Sequence, residues 1–369
     1  MTPELNRIYL GDNLATMKTW PDAFVHTCVT SPPYFALRDY GTASWEGGDA
    51  SCAHSVGGQV PDGKAPGAIS AGVRPGVDAS KCRKCGAKRI DQQIGLEATP
   101  EAYVARLVEL FREVRRVLRD DGTLWLNLGD SYNAYNGNRG TESEYAGKRN
   151  AMEPAFPAGH GLMAKGLKPK DLIGIPWMVA LALRADGWYL RCDIIWAKKN
   201  CMPESVTDRP TKAHEYIFLL SKSEKYFYDA EAIKEAITES SIARVAQNDG
   251  RPVLNTDRKR DSTQAEQTLD IAAMVPADGR RNKRSVWNVA LKPFNEAHFA
   301  TFPPDLISPC VLAGAPRGGV VLDPFMGAGT TALVAATHDR QYIGCELNPE
   351  YKSIADARVA NESAQEKML

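Results

Sequence analysis

Short apolar runs recur along the chain and predict the buried strands of a sheet. Runs of this kind lie at 8–10, 25–30, 123–128, 188–196, 216–220, 320–322 and 342–345. The runs at 188–196 and 216–220 are separated by polar sequence, which predicts an antiparallel pair at one edge of the sheet. Helical sequence separates most of the other runs, and this alternation predicts an α/β fold with a mostly parallel, doubly wound sheet.

The clearest helical pattern begins at Thr99. This residue is a favourable N-cap, and Pro100 suits the first helical turn. Apolar residues then recur on one helix face. They are Val104, Leu107, Phe111, Val114 and Leu118. We expect the segment Asp121-Gly122 to end this helix, and we expect further helices over 176–187 and 330–337.

Composition limits the class of protein. With 369 residues, 43% of them hydrophobic, the chain can form one large domain with insertions. It has 45 basic and 45 acidic residues, so contact with nucleic acid must come from a local basic patch. No apolar run approaches membrane-spanning length and no leader pattern begins the chain, so we expect a cytoplasmic protein without a membrane partner. The eight cysteines do not suggest a disulfide framework.

Differences in local composition divide the chain into three regions. The range 41–95 is rich in Gly, Ser and Pro, and we interpret it as an insertion. The range 229–288 is polar and basic with few apolar anchors, and we interpret it as a target-recognition region. The ranges 1–40, 96–228 and 289–369 are assigned to the core.

A glycine-rich turn follows the predicted strand at 320–322. Gly327 and Gly329 permit positive φ angles and a close approach of the backbone to a ligand. Glu346 ends the next predicted strand, where its carboxylate can accept hydrogen bonds from both hydroxyls of a ribose. Because the same pattern fits a nicotinamide-binding fingerprint, the glycine turn alone leaves a dehydrogenase open as an alternative.

A second motif stands near the N-terminus, where Thr30-Ser31-Pro32-Pro33-Tyr34 follows a predicted strand. Together with Asp-Pro-Phe-Met-Gly-Ala-Gly-Thr-Thr at 323–331, it resembles the paired motifs of the beta-group DNA amino-methyltransferases. The similar segments are 8–40, 96–132, 168–228 and 298–352. The resemblance implies a Rossmann-like, seven-stranded methyltransferase sheet in circularly permuted order, with S-adenosylmethionine as cofactor and double-stranded DNA as substrate.

The resemblance also implies which residues bind the cofactor. They are Asp12, Phe302, Asp323, Phe325, Gly327, Gly329, Thr330, Thr331 and Glu346. Asp12 is expected near the adenine, and Phe302 is expected to line the methionine pocket. Asp323 is expected to fix the glycine turn or to hold the methionine end. The dehydrogenase alternative leaves the Ser-Pro-Pro-Tyr segment unexplained.

The catalytic assignment covers Ser31, Pro32, Pro33 and Tyr34. The exocyclic amine of adenine or cytosine is a poor nucleophile, because its lone pair is delocalised into the ring. The Ser31 hydroxyl and the Pro32 carbonyl can accept the N–H hydrogens, and consecutive prolines stiffen the turn. Tyr34 offers a flat face to a base rotated out of the duplex. In similar enzymes Asp at the first position usually accompanies adenine and Ser often accompanies cytosine, so the sequence leaves the base open.

The insertion carries four residues with the chemistry of zinc ligands. These are Cys52 and His54, followed later by Cys82 and Cys85 in a Cys-x-x-Cys-Gly turn. Three thiolates and one imidazole form a closed tetrahedral site of the structural kind. The sequence between the two pairs has few core-forming residues, so a bound zinc would explain how the insertion folds.

Arg280, Arg281, Lys283 and Arg284 form a basic run that is a candidate DNA contact. The range 133–166 lacks periodicity and is a further candidate for target recognition. Within the methyltransferases, an enzyme acting on RNA or on a protein amide remains an alternative. A DNA-binding regulator with an inactive methyltransferase core is an alternative from a different class. Similar proteins often form homodimers, so a homodimer is possible, and a restriction system is one setting for the enzyme.

Overall fold

An eight-stranded sheet with helices on both faces forms the centre of the structure. The computed structural model describes residues 2–35, 42–55, 81–133, 167–168, 170–237, 278–292 and 301–366. Most of the two proposed recognition segments and the middle of the insertion lie outside these residues. Among the described residues, no helix combines the length and apolar character needed to cross a bilayer.

The strands, numbered in chain order, are β1 Arg7–Leu10, β2 Val25–Thr30, β3 Ser44–Glu46, β4 Lys88–Ile90, β5 Leu118–Leu128, β6 Tyr189–Ala197, β7 His214–Ser221, β8 Glu235–Ala236, β9 Arg280–Arg281, β10 Val286–Asn288, β11 Val320–Asp323 and β12 Gln341–Glu346. The helices are α1 Asn13–Met17, α2 Pro100–Val117, α3 Ile175–Ala185, α4 Pro304–Gly314, α5 Thr330–Thr337 and α6 Pro349–Glu366. A short 3₁₀ helix spans Glu231–Ile233.

The main sheet has the order β1-β12-β11-β2-β5-β7-β6-β10. The pairs from β1 to β5 are parallel, whereas β5, β7 and β6 pair antiparallel. The predicted mixed edge is therefore confirmed. Strand β10 adds an eighth strand to the seven expected, and it lies within the range assigned to target recognition. Only Trp287 of its three residues is buried, so its sequence carried no strand signal.

The two faces of the sheet bury separate apolar clusters. On strand β5, Leu124 and Leu126 pack with α2 and α3, whereas Trp125 between them packs with α4. Alternate residues of a strand point to opposite faces, so this division follows from the strand geometry. Both faces are covered by helices, as the predicted doubly wound architecture requires.

The junction between α2 and β5 differs from the prediction. The helix ends at Val117, and Leu118 is already extended with φ −67° and ψ 141°. Leu118 pairs with Val25 of β2, ahead of a register shift in that pairing. The sequence assigned Leu118 to the helix because its apolar side chain continues the helical spacing, but pairing with β2 extends the strand back across Asp121-Gly122.

Strand β1 joins the two ends of the chain. It pairs in parallel with β12, with Leu10 opposite Glu346. The Gly11 amide then donates to the Glu346 carbonyl at 2.9 Å. The N-terminal strand thus continues the sheet beyond the C-terminal strand, as the permuted order implies.

We expect Gly329→Ala to destabilise the protein more than Gly174→Ala. Both glycines precede helices with positive φ, 78° and 84°. An added Cβ at Gly329 would lie 2.8 Å from the Ala355 Cβ, whereas nothing lies within 4 Å at Gly174. We expect a loss of about 1 kcal/mol in the free energy of unfolding at Gly174, from backbone strain alone, and roughly 2–4 kcal/mol at Gly329. Urea unfolding measures both, and equal losses would contradict the packing of α6 on this turn.

Candidate active site

The two sequence motifs meet at neighbouring strand ends. Strands β2 and β11 are adjacent and parallel, with Val321 opposite Thr27. Their carboxyl ends therefore open at the same edge of the sheet, where ligands of α/β folds bind. The Thr30 hydroxyl donates to Asp323 Oδ1 at 2.6 Å, which links the end of β2 directly to the glycine-rich turn.

Asp323 is buried and is surrounded by hydrogen-bond donors. Its Oδ1 also accepts from the Phe325 amide at 2.9 Å, and its Oδ2 accepts from the Thr331 hydroxyl at 2.7 Å. The residue is 1% exposed. Burial raises the pKa of this carboxyl to about 6, although the hydrogen bonds from Thr30, Thr331 and Phe325 act in the opposite direction. Of the two roles expected for Asp323, these contacts favour fixing the turn.

The glycine turn is held by Glu346 from the adjacent strand. The Gly327 amide donates to Glu346 Oε2 at 2.8 Å, and the Asn348 amide donates to Oε1 at 2.8 Å. Burial raises the pKa of Glu346. At Gly327 φ is +51°, and the nearest atom to an added Cβ would lie 3.9 Å away, so the turn presents open backbone. Each Glu346 oxygen retains acceptor capacity for a ligand hydroxyl.

One cleft collects the catalytic motif and most of the expected cofactor residues. All four catalytic candidates line it, as do seven of the nine cofactor candidates. The seven are Asp12, Phe302, Asp323, Phe325, Gly327, Thr330 and Glu346. The two others lie behind the wall: Gly329 is the N-cap residue of α5, and Thr331 is fully buried against Asp323. We therefore expect Gly329 and Thr331 to support the turn without touching a ligand.

The Ser31–Tyr34 turn packs against α2 and against the chain just after β5. The Tyr103 hydroxyl donates to the Pro33 carbonyl at 2.8 Å. No donor to the Pro32 carbonyl occurs among the described residues, so that oxygen is the one suited to a ligand amine. Gly129 leaves room for the Tyr34 ring, because a Cβ there would lie 2.4 Å from Tyr34 Cε2.

The Tyr34 hydroxyl belongs to a network that sequence reasoning missed. It donates to Glu215 Oε2 at 2.6 Å, and Asn127 Nδ2 donates to the same oxygen at 3.3 Å. Lys198 forms an ion pair with the other oxygen of Glu215. Burial, and then the Glu215 charge, raise the pKa of Tyr34 well above its ordinary value. The tyrosine therefore stays protonated, and its ring is oriented by a carboxylate on β7.

Further cleft residues were also missed. Asn13 lines the cleft and donates through Nδ2 to the Pro324 carbonyl at 3.1 Å. Gln92, Gln93 and Ile94 line it from the end of the insertion. Asn13 follows the predicted strand end next to Asp12, so its position carried a signal. Nothing in the sequence marks Gln92 and Gln93 as cleft residues, because only the folded insertion brings them to the cleft.

The four metal-ligand candidates lie together, and none of them lines the cleft. The donor atoms of Cys52, His54, Cys82 and Cys85 all lie within 4.8 Å of one another. The sequence pairs are thus close enough to share one ion. Four protein ligands would complete a tetrahedral zinc site and leave no open coordination position for a substrate. The cluster therefore fits a structural site better than a catalytic one.

The four basic candidates for DNA contact lie outside the cleft and have partners within the chain. Arg281 and Arg284 donate to Glu235 Oε1 at 3.0 and 2.7 Å, and Arg280 donates to the Glu231 and Lys234 carbonyls. Lys283 lies over the ring of Trp287, 5.1 Å from its centroid. Burial alone would raise the pKa of Glu235, but the bonds from Arg284 and Arg281 hold it below its ordinary value.

Comparison with known proteins defines the family. The N6/N4 methyltransferase model, described as DNA methylase, matches residues 25–357. The Type II methyltransferase M.Cfr9I of Citrobacter freundii is 41% identical over 362 residues, covering 97% of this chain and 90% of the relative. M.SmaI of Serratia marcescens, also a Type II methyltransferase, is 39% identical over 354 residues, with coverages of 96% and 90%. The chain belongs to this family of DNA amino-methyltransferases, as the two motifs predicted.

Solved structures confirm the fold. PvuII DNA methyltransferase, described as cytosine-N4-specific, aligns with a TM-score of 0.52 and 14% identity over 99% of this chain and 93% of that one. A Thermus thermophilus protein solved with S-adenosyl-L-methionine aligns with a TM-score of 0.50 and 21% identity, covering 96% and 95%. The sheet and its helices are thus those of a methyltransferase.

We expect Asp323→Asn to change how stability depends on pH. The folded pKa of about 6 lies above the ordinary value of 3.8, so the folded state binds the proton more tightly. The Asp323 contribution to stability is therefore largest below pH 4 and declines as pH rises through 6, by up to ~3 kcal/mol. Asparagine does not titrate, so the variant gains stability relative to the wild type between pH 4 and 7.5.

Urea unfolding at several pH values between those limits measures this difference. Asp305→Asn is the matched control, because the Asp305 side chain is 62% exposed and pairs with Lys292 at the surface. A difference between wild type and Asp323→Asn that stays constant with pH would contradict the burial of an ionisable group here.

We expect Tyr34→Phe and Glu215→Gln to be energetically coupled. The hydrogen bond between them involves a charged acceptor, so a double-mutant cycle should give a coupling of about 1–2 kcal/mol in the free energy of unfolding. The control cycle pairs Glu215→Gln with Tyr9→Phe on β1, five strands away in the sheet order. Additive losses in the first cycle would show that the charge of Glu215 does not strengthen the hydrogen bond from Tyr34.

Proposed function

We propose that the protein transfers a methyl group from S-adenosylmethionine to the exocyclic amine of a base rotated out of duplex DNA. The observation that carries this proposal is the meeting of the Ser31–Tyr34 turn and the Gly327 turn in one cleft. Neither motif alone specifies methyl transfer, but an acceptor site beside a cofactor site does. Membership of the methylase family supports the same activity.

The cleft residues fit S-adenosylmethionine. Phe302 and Phe325 provide apolar walls, Gly327 provides open backbone, and Glu346 and Asp12 provide carboxylates at the ends of β12 and β1. When bound there, the cofactor supplies an electrophilic methyl group on a positively charged sulfur. The Glu346 carboxylate suits the ribose hydroxyls, and Asp12 suits the adenine end. The sulfonium end of the cofactor would then face Ser31.

The chain itself performs positioning and proton acceptance. Ser31 Oγ and the Pro32 carbonyl accept the two N–H hydrogens of the amine, which directs the nitrogen lone pair toward the methyl group. Tyr34 stacks on the base while Glu215 holds the hydroxyl of the tyrosine. Methylation would leave one excess proton on the amine nitrogen, and Ser31 Oγ, which both accepts and donates hydrogen bonds, would pass it to solvent. The Pro32 carbonyl would only hold its N–H hydrogen in place. Orientation and electrostatics carry the rate enhancement, and no covalent enzyme intermediate is required.

Of the two possible bases, we propose N4 of cytosine. Ser31 stands where similar adenine enzymes usually carry Asp, and this residue is the basis of the choice. Adenine N6 is the alternative. The cytosine specificity described for the PvuII enzyme agrees with this choice, but at 14% identity that likeness supports the fold and not the base.

Target recognition is proposed for the basic run in 229–288. The Arg284 side chain is 66% exposed, against 27% for Arg281, and both pair with Glu235. A phosphate could replace that carboxylate as its partner. The homodimer suggested by the resemblance stays a prediction.

Mass spectrometry of nucleosides from unmethylated duplex DNA tests the proposal, after incubation with the protein and S-adenosylmethionine. We expect N4-methylcytosine from the wild type and a loss of at least roughly 100-fold in Ser31→Ala. Ser353→Ala, an exposed change on α6, is the control and should retain activity. N6-methyladenine would overturn the choice of base. No methylated nucleoside from folded, cofactor-bound protein would overturn DNA methylation itself.

A further inference from the structure

We propose that Cys52, His54, Cys82 and Cys85 hold a structural Zn²⁺, and that the module folded around this ion forms a wall of the base-binding end of the cleft. The zinc module is defined as the described residues 42–55 and 81–95. The first part of the proposal stands on the geometry of the four ligands. The second part rests on the proposed function, because it assigns the wall to the target base.

The separations of the donor atoms are within a few tenths of an ångström of those in a tetrahedral zinc site, where the structure gives them. Cys52 Sγ and Cys82 Sγ are 3.9 Å apart, and Cys85 Sγ lies 3.2 Å from His54 Nδ1. Zinc bonds of about 2.3 Å to sulfur and 2.0 Å to nitrogen place such donors roughly 3.5–3.8 Å apart at tetrahedral angles. A disulfide would need a sulfur separation of about 2.05 Å. Three sulfurs and one nitrogen in this geometry select zinc over the hard cations.

The backbone around the ligands is arranged as a knuckle. The Gly86 amide donates to the Cys82 carbonyl at 2.9 Å, and the Cys82 amide donates to the Ala87 carbonyl at 2.7 Å. Gly86 has φ +74°, which lets the chain turn back after Cys85. The Arg83 amide donates to the Ser55 carbonyl at 3.1 Å, which holds the second ligand pair against the first.

The described residues around the four ligands bury little apolar surface. In its two segments as far as Ile90, only Cys82 and Ala87 are buried. The hairpin of β3 and β4 pairs only three residues on each strand. Trp45 contributes a ring stacked on His54, with centroids 4.9 Å apart, but the tryptophan is not itself buried. A metal-ligand cluster can supply the missing stabilisation, because binding energy becomes folding energy.

Both ends of the zinc module reach the cleft. Thr42 lines the cleft just before β3, and Gln92, Gln93 and Ile94 line it just after β4. The hairpin register places Ser44 opposite Ile90, so the entering and leaving segments run side by side. The ion therefore anchors the far end of a hairpin whose near end is part of the cleft.

The near end of the module contacts the catalytic turn directly. A Cβ at Gly95 would lie 3.0 Å from the Tyr34 carbonyl and 3.4 Å from Pro33 Cβ. Ile94 packs in the core with Phe35 and Tyr103. Strands β11 and β12, which carry the proposed cofactor residues Asp323 and Glu346, lie on one side of β2 in the sheet order, and β5 lies on the other side. Loss of the ion should consequently disturb the base-binding end and spare the cofactor end.

Metal content is measured first, on the full-length purified protein. We expect one zinc per chain by elemental mass spectrometry, and the absorption of tetrahedral cobalt thiolate after exchange with Co²⁺. Cys85→Ser should lose the metal, and Cys201→Ser, a change outside the cluster, should retain it. Chains that contain a disulfide between Cys52 and Cys82, or that neither contain nor take up zinc, would overturn the site. This measurement does not depend on methyl transfer, so it stands if the proposed function fails.

Coupling to the base-binding end is measured second. We expect Cys85→Ser to raise KM for duplex DNA or lower kcat roughly tenfold or more, with the Kd for S-adenosylmethionine changed less than about twofold. Gln92→Ala tests the wall without disturbing the ion, because its exposed side chain lies on the cleft. It should retain zinc and raise KM for DNA. An unchanged KM in Gln92→Ala, or weakened cofactor binding in place of weakened DNA binding, would overturn the assignment of the wall.

Discussion

The hydrogen bonds of Asp323 join the two halves of the active site. The proposed substrate motif and the proposed cofactor motif are separated by almost the whole sequence: Thr30 and Asp323 are 293 positions apart. One buried carboxylate accepts from Thr30 on the substrate side and from Thr331 on the cofactor side. Burying a carboxylate costs stability unless it is hydrogen-bonded. Asp323 therefore depends on all three of its donors, which are the Thr30 hydroxyl, the Thr331 hydroxyl and the Phe325 amide.

The sheet order makes this junction possible. Because β2 lies beside β11, and β12 lies beyond it, the three strand ends that carry Ser31, Asp323 and Glu346 form one continuous edge. Strand β1 extends that edge with Asp12. The permuted chain order therefore places the N-terminal and C-terminal motifs in a single cleft, although the two motifs are far apart in the sequence. On the other side of β2, β5 and β7 supply Asn127 and Glu215, which orient Tyr34.

Much of this arrangement could be predicted from the sequence, for physical reasons. The buried strands are short apolar runs, and the residues that follow them mark the ligand edge, so Ser31, Asp323 and Glu346 were identified together. The end of α2 could not be predicted from the sequence, because Leu118 satisfies helical spacing as well as strand pairing. Glu215 was not identified because its role depends on which strand lies beside β5, and a local pattern does not encode that pairing.

In the insertion and the basic run, too, the sequence predicts the chemistry of the residues but not the contacts that depend on tertiary structure. The cysteine and histidine spacing predicted a shared cluster, and the four donor groups are indeed adjacent. That the insertion returns to the cleft through Gln92 and Ile94 depends on how its hairpin docks. Similarly, Arg281 and Arg284 were recognised as basic, but their shared partner Glu235 lies across the antiparallel pair of β8 and β9.

The most direct measurement of the central claim is a crystal structure of the protein with a duplex target and an unreactive analogue of S-adenosylmethionine. We predict that the analogue lies on the Gly327 turn with its ribose at Glu346. The group that replaces the transferable methyl should then lie within about 3.5 Å of the base amine held by Ser31 and Pro32. An analogue bound elsewhere, or a base that enters the cleft away from Ser31, would contradict the account.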